Sequence, residues 1–333
     1  MKGNEAYTEN AVRLLQDLVR LPSFSRDEWQ TASHLTKYLF DHNIQVTRVG
    51  NNVLAQNKHF RKDRPTLLLN SHHDTVQPNK GYTRDPFDGA VADGKIYGLG
   101  SNDAGGALVC LLTTFLHFHE QPDLAYNLVF AASAEEEVSG TDGIESALKF
   151  LPPIACAIVG EPTGMEMAVA ERGLMVLDGL ATGKAGHAAR NEGVNALYRA
   201  VDDINWIRNY RFEKVSDFLG PVQMQVTAIE TDNKTHNIVP PECRFTVDIR
   251  VNEMYSLEEV LQVIRMHVQS EVTPRSMRLR STHISQDHPL VRAGLALGKK
   301  PYGSPTTSDK ALVSFPALKI GPGESARSHT ADE

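Results

Sequence analysis

The stretch Thr66-Leu-Leu-Leu-Asn-Ser-His-His-Asp-Thr75 decides how this chain reads. Its first half is a short apolar run bounded by Pro65 and by polar residues, the pattern of a parallel strand buried on both faces. Ser71-His-His-Asp-Thr75 follows at once. It sets metal-type donors where the strand should end, which is where open α/β sheets place their ligands. Working outward, Glu9 to Arg20 carries Val12, Leu15 and Val19, with Leu14 and Leu18, at helical spacing, and Pro22 closes it. A second helical pattern covers 27–43. Gly105 to Phe118 reads as a buried helix, and Leu128 to Ala132 and Ile154 to Val159 repeat the buried-strand pattern. Strands separated by helix-length segments predict an α/β unit with a mainly parallel sheet.

After Glu171 the texture changes. Leu174 to Thr182, Val222 to Ile229 and Arg244 to Val251 alternate partially, as half-exposed strands do. Helical patterns at Val194 to Arg208 and Ser256 to Val268 lie between and after them. Together they predict a compact α+β insertion that covers one face of its sheet. The buried pattern returns with a helix at Pro289 to Leu297 and a strand at Ala317 to Ile320. The expected organisation is one α/β domain, residues 1–172 and 285–333, interrupted by an α+β domain at 173–284.

The bulk properties fit. The 333 residues suit two domains, and the 41% apolar and 23% charged shares are those of an ordinary soluble chain. Thirty-four basic against 41 acidic residues give a formal charge of −7, which argues against nucleic-acid and anionic-membrane partners. No run approaches the about 18 apolar residues of a membrane span, and the N-terminus lacks the blocks of a signal peptide. Three cysteines without metal spacing suggest reduced thiols and a cytoplasmic location.

Four further stretches join Ser71–Thr75: Gly98-Leu-Gly-Ser-Asn-Asp-Ala-Gly-Gly106 entering a helix, Ala134-Glu-Glu-Glu-Val-Ser-Gly140 and Gly160-Glu-Pro-Thr163 after strands, and Gly321-Pro-Gly-Glu-Ser-Ala-Arg-Ser-His329. Each alone has a bland reading. A histidine after a strand is ordinarily a loop residue, and a glutamate run is ordinarily a solvated face. Gly98-x-Gly100 is half of a dinucleotide fingerprint, but Asp103 stands where a pyrophosphate would have to approach. The joint pattern differs. Carboxylates and histidine recurring beside small residues at successive strand ends predict a metal site.

These five motifs resemble those of the zinc-dependent deacetylases and exopeptidases that include acetylornithine deacetylase, succinyl-diaminopimelate desuccinylase, aminoacylase and glutamate carboxypeptidase. The resemblance spans nearly the whole chain and implies a di-zinc exopeptidase-like catalytic domain with an inserted lid and dimerisation domain. It implies two divalent ions, Zn²⁺ or Co²⁺: His72 and Glu161 on one, Glu137 and His329 on the other, and Asp103 bridging. Asp74 would fix the His72 imidazole. Glu136 would be the general base. The triple glutamate leaves Glu135 as base with Glu136 as ligand open, and the spacing to Gly143 favours Glu136 and Glu137.

From the insertion, His187 resembles the lid histidine that reaches a neighbouring active site in dimeric members, where it would donate to the oxyanion; its bland reading is a loop histidine. Asn237 would hold a polar substrate atom and Arg250 a substrate carboxylate, though Arg250 also reads as a surface ion-pair partner. Gly321 and Gly323 would offer backbone N–H groups to that carboxylate, or form a plain turn. His117 and His119 cannot face one metal from a helix, and His73 has no assigned role. The chain ends four residues after His329, where relatives usually continue into a terminal helix; absence of that helix would leave the His329 loop less supported.

The implied reaction is hydrolysis of an N-acyl amino acid by a homodimer joined through the lid domain. The motif wording looks most like the acetylornithine deacetylases of arginine biosynthesis, with N²-acetyl-L-ornithine, or its citrulline or succinyl relative, as the leading substrate. Succinyl-diaminopimelate desuccinylase is the alternative and a dipeptidase the third reading. A metal-free binding protein on the same scaffold is the competing class; retention of all five ligands speaks against it.

Overall fold

The computed structural model describes residues 2–333. In chain order the elements are α1 (Lys2–Val19), α2 (Trp29–Asp41), β1 (Val46–Val49), β2 (Asn52–Gln56), β3 (Thr66–His72), β4 (Ala90–Ala92), β5 (Lys95–Tyr97), α3 (Gly106–Phe118), β6 (Asn127–Ser133), α4 (Ile144–Leu148), β7 (Cys156–Val159) and β8 (Met167–Glu171). There follow β9 (Gly173–Thr182), β10 (Gly186–His187), α5 (Ala196–Asn209), β11 (Gln223–Glu230), β12 (Ile238–Val239), β13 (Glu242–Val251), α6 (Leu257–His267), β14 (Glu271–Pro274) and β15 (Thr282–His283). The chain closes with α7 (Pro289–Ala296), β16 (Pro301–Ser304) and β17 (Ala317–Lys319). Two compact units result: residues 1–169, 284–302 and 308–333, and residues 170–283 and 303–307.

The first unit is built on a sheet in the order β1-β2-β6-β3-β7-β17-β8. Its centre is parallel, β6 with β3, β3 with β7 and β7 with β17. Every residue of β6 is buried, and in β3 only Leu67 is partly exposed, so both strands need apolar side chains on both faces. One core takes Leu14, Leu15 and Leu18 from α1, Leu35 and Leu39 from α2 and Leu108, Leu112 and Phe115 from α3. The helical spacing of these residues puts one apolar stripe of each helix on the sheet.

The flanks depart from the sequence reading. The β1–β2 hairpin is antiparallel and joins β6 antiparallel, and β8 meets β17 antiparallel. Strands of four or five residues, one of them the alanine-rich Met167-Ala-Val-Ala-Glu171, carry too little periodicity to be read.

The second unit holds a four-stranded antiparallel sheet, β11-β13-β9-β14. Residues of β13 alternate between buried and more exposed, as a sheet covered on one face demands. The buried set, including Met175, Leu177, Phe245, Val247 and Ile249, packs with Ala196, Ala200 and Ile207 of α5 and Val260, Leu261 and Ile264 of α6. Gly179 is required under Phe245, because a Cβ there would lie 2.3 Å from the ring. Among the described residues, no helix is long and apolar enough to cross a membrane.

Candidate metal centre

Strand register assembles the site. His72, the last residue of β3, pairs with Ser133 at the end of β6, and Asn70 pairs with Val159 at the end of β7. Parallel neighbours therefore end at one level, and the 134–140 and 160–163 loops leave beside His72. The 98–105 loop turns through Gly98 (φ 145°) and Gly100 (φ 78°) before entering α3. It is closed by the Gly105 N–H donating to the Gly100 carbonyl at 2.9 Å.

The side chains converge. Asp103 stands between the two histidines, Oδ1 at 3.2 Å from His72 Nε2 and Oδ2 at 3.8 Å from His329 Nε2. Glu137 Oε2 is 2.9 Å from His329 Nε2, while Glu161 Oε1 and Glu136 Oε2 lie 3.8 and 4.0 Å from His72 Nε2. Two groups have donor atoms within 4.8 Å of one another: His72, Asp103 and Glu137, and His72, Glu136 and Glu161. His72 is common to both, but one imidazole Nε2 binds one ion. Asp103, with an oxygen toward each histidine, is the group able to bridge two.

The electrostatics call for cations. Burial pushes the Glu136 carboxyl well above the usual range; His72 opposes this, while Glu161, Asp309 and Glu137 add to it. Burial lifts Glu137 as well, with Asp103 adding to it against the pull of His72. Burial disfavours a charged His72, yet the surrounding carboxylates outweigh it and raise its pKa. Four carboxylates and two histidines in so small a volume repel one another unless a cation or protons intervene. Their mixed O and N donors are those of a zinc-type site, so the residues present fit two divalent ions.

Asp74 lies against the His72 imidazole and also holds the glutamate turn. The His72 imidazole meets Asp74 through Nδ1 and the backbone carbonyl, at 3.0 Å, with the carboxylate at 3.4 Å. That carboxylate also accepts the Glu136 and Glu137 N–H groups, at 3.0 and 3.1 Å, and the Ser25 hydroxyl at 2.7 Å. His73 points away from the cluster. Its Nδ1 meets Thr31 Oγ1 at 2.9 Å and its Nε2 the Asn51 carbonyl at 3.0 Å, and burial lowers its pKa to about 4. Glu135 folds back against Gly140, where a Cβ would collide with its carboxylate, and so faces away from the donor cluster.

Arg250 and the 321–323 turn have partners within the chain. The Arg250 fork is closed on Asp248, Nε to Oδ1 at 2.7 Å and Nη2 to Oδ2 at 2.9 Å, because residues two apart on β13 share a face. The two side chains form a partly exposed ion pair. The Gly321 N–H is likewise spent, donating to Thr163 Oγ1 at 3.1 Å, and the Gly321 carbonyl accepts Thr163 N and Met165 N. Gly323, at φ 87°, accepts the Gly164 N–H at 2.6 Å. This turn braces the Glu161 loop.

His187 and Asn237 belong to the second unit, both exposed on the β10–β12 ribbon, where His187 pairs with Ile238 and its Nδ1 accepts the Ala189 N–H at 3.2 Å. The segment after His329 is tied down. Asn79 donates to the His329 carbonyl, Asp332 accepts from Thr83 and Arg84, and Glu333 Oε1 accepts the Gly100 N–H at 2.7 Å. Sequence reasoning missed the buried Glu28, Asn52 and Asp309. Asp309 Oδ2 accepts Asn70 Nδ2 at 2.8 Å and Ser133 Oγ at 2.5 Å, joining the ends of β3 and β6. None of the three lies in a motif, so only the fold reveals them.

A family profile described as peptidase family M20/M25/M40 matches residues 68–333. Among curated relatives, succinyl-diaminopimelate desuccinylase 2 of Ruegeria sp. is 24% identical over 291 residues, covering 82% of this chain and 73% of the relative. Succinyl-diaminopimelate desuccinylase of Cereibacter sphaeroides is 29% identical over 264 residues, covering 74% and 68%. Among solved structures, aminopeptidase PepT from Bacillus cereus superposes with a TM-score of 0.74 at 18% identity, covering 94% of this chain and 90% of that one. The M20 family metallo-carboxypeptidase Sso-CP2 from Sulfolobus solfataricus gives 0.73 at 17%, covering 97% and 94%. At these identities the solved structures speak for the fold alone.

Proposed function

The chain belongs to peptidase family M20/M25/M40, a family of metal-dependent amide hydrolases, and on that premise we propose that it removes the succinyl group from an N-succinylated diamino dicarboxylic acid of the diaminopimelate type. The observation that carries the hydrolytic reading is Asp103 set between His72 and His329, with Glu136, Glu137 and Glu161 around them. The desuccinylase reading draws its support from the curated relatives. Acetylornithine specificity, with a place in arginine biosynthesis, has only the wording of three motifs behind it and becomes the second substrate to try.

His72, Glu161 and Asp103 would hold one ion, and Glu137, His329 and Asp103 the other. When bound, the pair supplies an acidified water and a polarised scissile carbonyl. Glu136 takes the proton from the attacking water and passes it to the leaving amine nitrogen, so the amide C–N bond breaks to a carboxylate and a free amine. Asp74, through the Glu136 and Glu137 amides, keeps the base apart from the ligand. His187 is assigned the hydrogen bond to the oxyanion, and Asn237 a polar contact to substrate.

We assign homodimerisation to the second unit. β11 is an edge strand of its sheet, and Ile229 on it and Tyr198 and Val201 on α5 are exposed apolar side chains; an open edge of this kind invites pairing. The test is a substrate panel with zinc-loaded protein: N-succinyl-diaminopimelate, N²-acetyl-L-ornithine and a dipeptide. The highest kcat/KM is expected for the first; a preference for either of the others would replace the substrate while leaving the hydrolase.

A further inference from the structure

Three consecutive glutamates pose a problem that side-chain chemistry cannot solve. Glu135, Glu136 and Glu137 are identical groups, and only the backbone decides which of them turns inward. We propose that Glu28 is the positioning residue that sets the phase of this turn, fixing Glu136 as base and Glu137 as ligand. The inference rests on that reading of the two glutamates and adds a residue to it.

Four successive N–H groups of the turn are held by side chains from elsewhere in the fold. Ala134 donates to Asn52 Oδ1 at 3.1 Å, Glu135 to Glu28 Oε1 at 3.2 Å, and Glu136 and Glu137 to the two oxygens of Asp74. Asp74 alone is degenerate. A carboxylate that accepts two adjacent amides would accept the preceding pair equally well, and that slip of one residue would put Glu135 in the place of Glu136. Glu28 removes the degeneracy by taking the Glu135 amide, and the Asn52 carboxamide supports it one residue earlier.

Glu28 is built to hold still. Its side chain is fully buried. Oε1 also accepts the Arg26 N–H at 2.5 Å, and Oε2 accepts Asn51 Nδ2 at 2.8 Å. Its carbonyl accepts the Ala32 N–H and the Thr31 hydroxyl at the start of α2, so the carboxylate is fixed to a packed helix. The turn it holds needs holding. Glu135 has φ 55° and Ser139 φ 48°, left-handed conformations that residues with a Cβ disfavour.

The test compares zinc-loaded wild type, Glu28→Gln and the double variant Glu28→Gln/Asn51→Asp, using whichever panel substrate the wild type hydrolyses. In Glu28→Gln the new amide meets the Asn51 amide donor to donor, and turning it over to relieve that contact points its N–H group at the Arg26 and Glu135 N–H groups, so the turn loses its acceptor. The expected result is a kcat per zinc-loaded molecule lower by about ten- to a hundredfold at unchanged KM, the cost of a base displaced by about 1 Å. The double variant exchanges amide and carboxylate between positions 28 and 51, so that donor again meets acceptor, and should recover most of that kcat. A residue that only supported the fold would lower the melting temperature without this split. Wild-type kcat in Glu28→Gln, or no recovery in the double variant, would overturn the assignment. If Glu28→Gln does not fold, Asn51→Ala, which removes one anchor of the carboxylate, should show a smaller fall in kcat, and an unchanged kcat there overturns it equally. A zinc-loaded wild type that hydrolyses nothing on the panel would sink the catalytic reading itself, which is a separate failure.

Discussion

Glu136 sits 4.0 Å from His72 Nε2 with its carboxyl pushed up by burial among like charges, the environment of a base and not of a plain surface acid. Glu136→Gln should retain two zinc ions per chain and lose about 10²- to 10⁴-fold in kcat, read by metal analysis beside steady-state kinetics. Because burial among like charges raises Glu136 and Glu137, they hold protons that a metal must displace. Zinc binding should therefore release protons and weaken as pH falls; calorimetry in two buffers of different ionisation enthalpy measures it, and no proton release would contradict the sign. His72, Asp74 and Asp103 can be picked out of the sequence because each lies in a short motif, at a strand end or a helix entry. The partners of Arg250 and Gly321 cannot, since Asp248 and Thr163 reach them only once β13 and the 321–323 turn have formed. The direction of the three glutamates is legible in part: the spacing to Gly143 favours Glu136 and Glu137, while the Glu28 carboxylate that holds the turn lies more than a hundred residues away in sequence.

The helices and buried strands were legible from periodicity, since each hides one stripe or two full faces. The β1–β2 hairpin and β8 were not, being short strands whose pairing depends on β6 and β17. Two elements make separable predictions. Helix α6 begins with a reciprocal cap, Glu259 N–H to Ser256 Oγ at 3.1 Å and Ser256 N–H to Glu259 Oε2 at 2.7 Å. Ser256→Ala should lower the stability of the second unit by about 1 kcal/mol in a denaturant titration, with zinc content unchanged. Gly105 closes the loop that carries Asp103, and a Cβ there would come within 2.5 Å of the Gly100 carbonyl and 2.7 Å of Leu15. Gly105→Ala should thus weaken zinc binding, which a competition titration with a chelator would reveal; wild-type affinity would show that the loop tolerates the side chain.

Across the whole chain, motifs on both sides of the inserted unit contribute to one centre: His72, Asp103, Glu137 and Glu161 precede it and His329 follows it. The insertion expected at 173–284 rests on a change from continuous to alternating apolar patterning, and the second unit runs over 170–283 with 303–307; its surface is not legible, because nothing in an exposed strand's sequence says what covers it. Ile229→Lys on β11 should shift the proposed homodimer toward monomer in light scattering, and through His187 reduce kcat; a dimer that survives unchanged would place the interface elsewhere. The account as a whole depends on two metal ions driving amide hydrolysis. The direct measurement is to strip the protein with a chelator, add zinc back in steps, and follow bound metal and N-succinyl-diaminopimelate hydrolysis together. Activity absent from the stripped protein and rising to a plateau at two zinc per chain is the predicted result. A chain that binds no zinc, or whose hydrolysis is indifferent to the chelator, would contradict it.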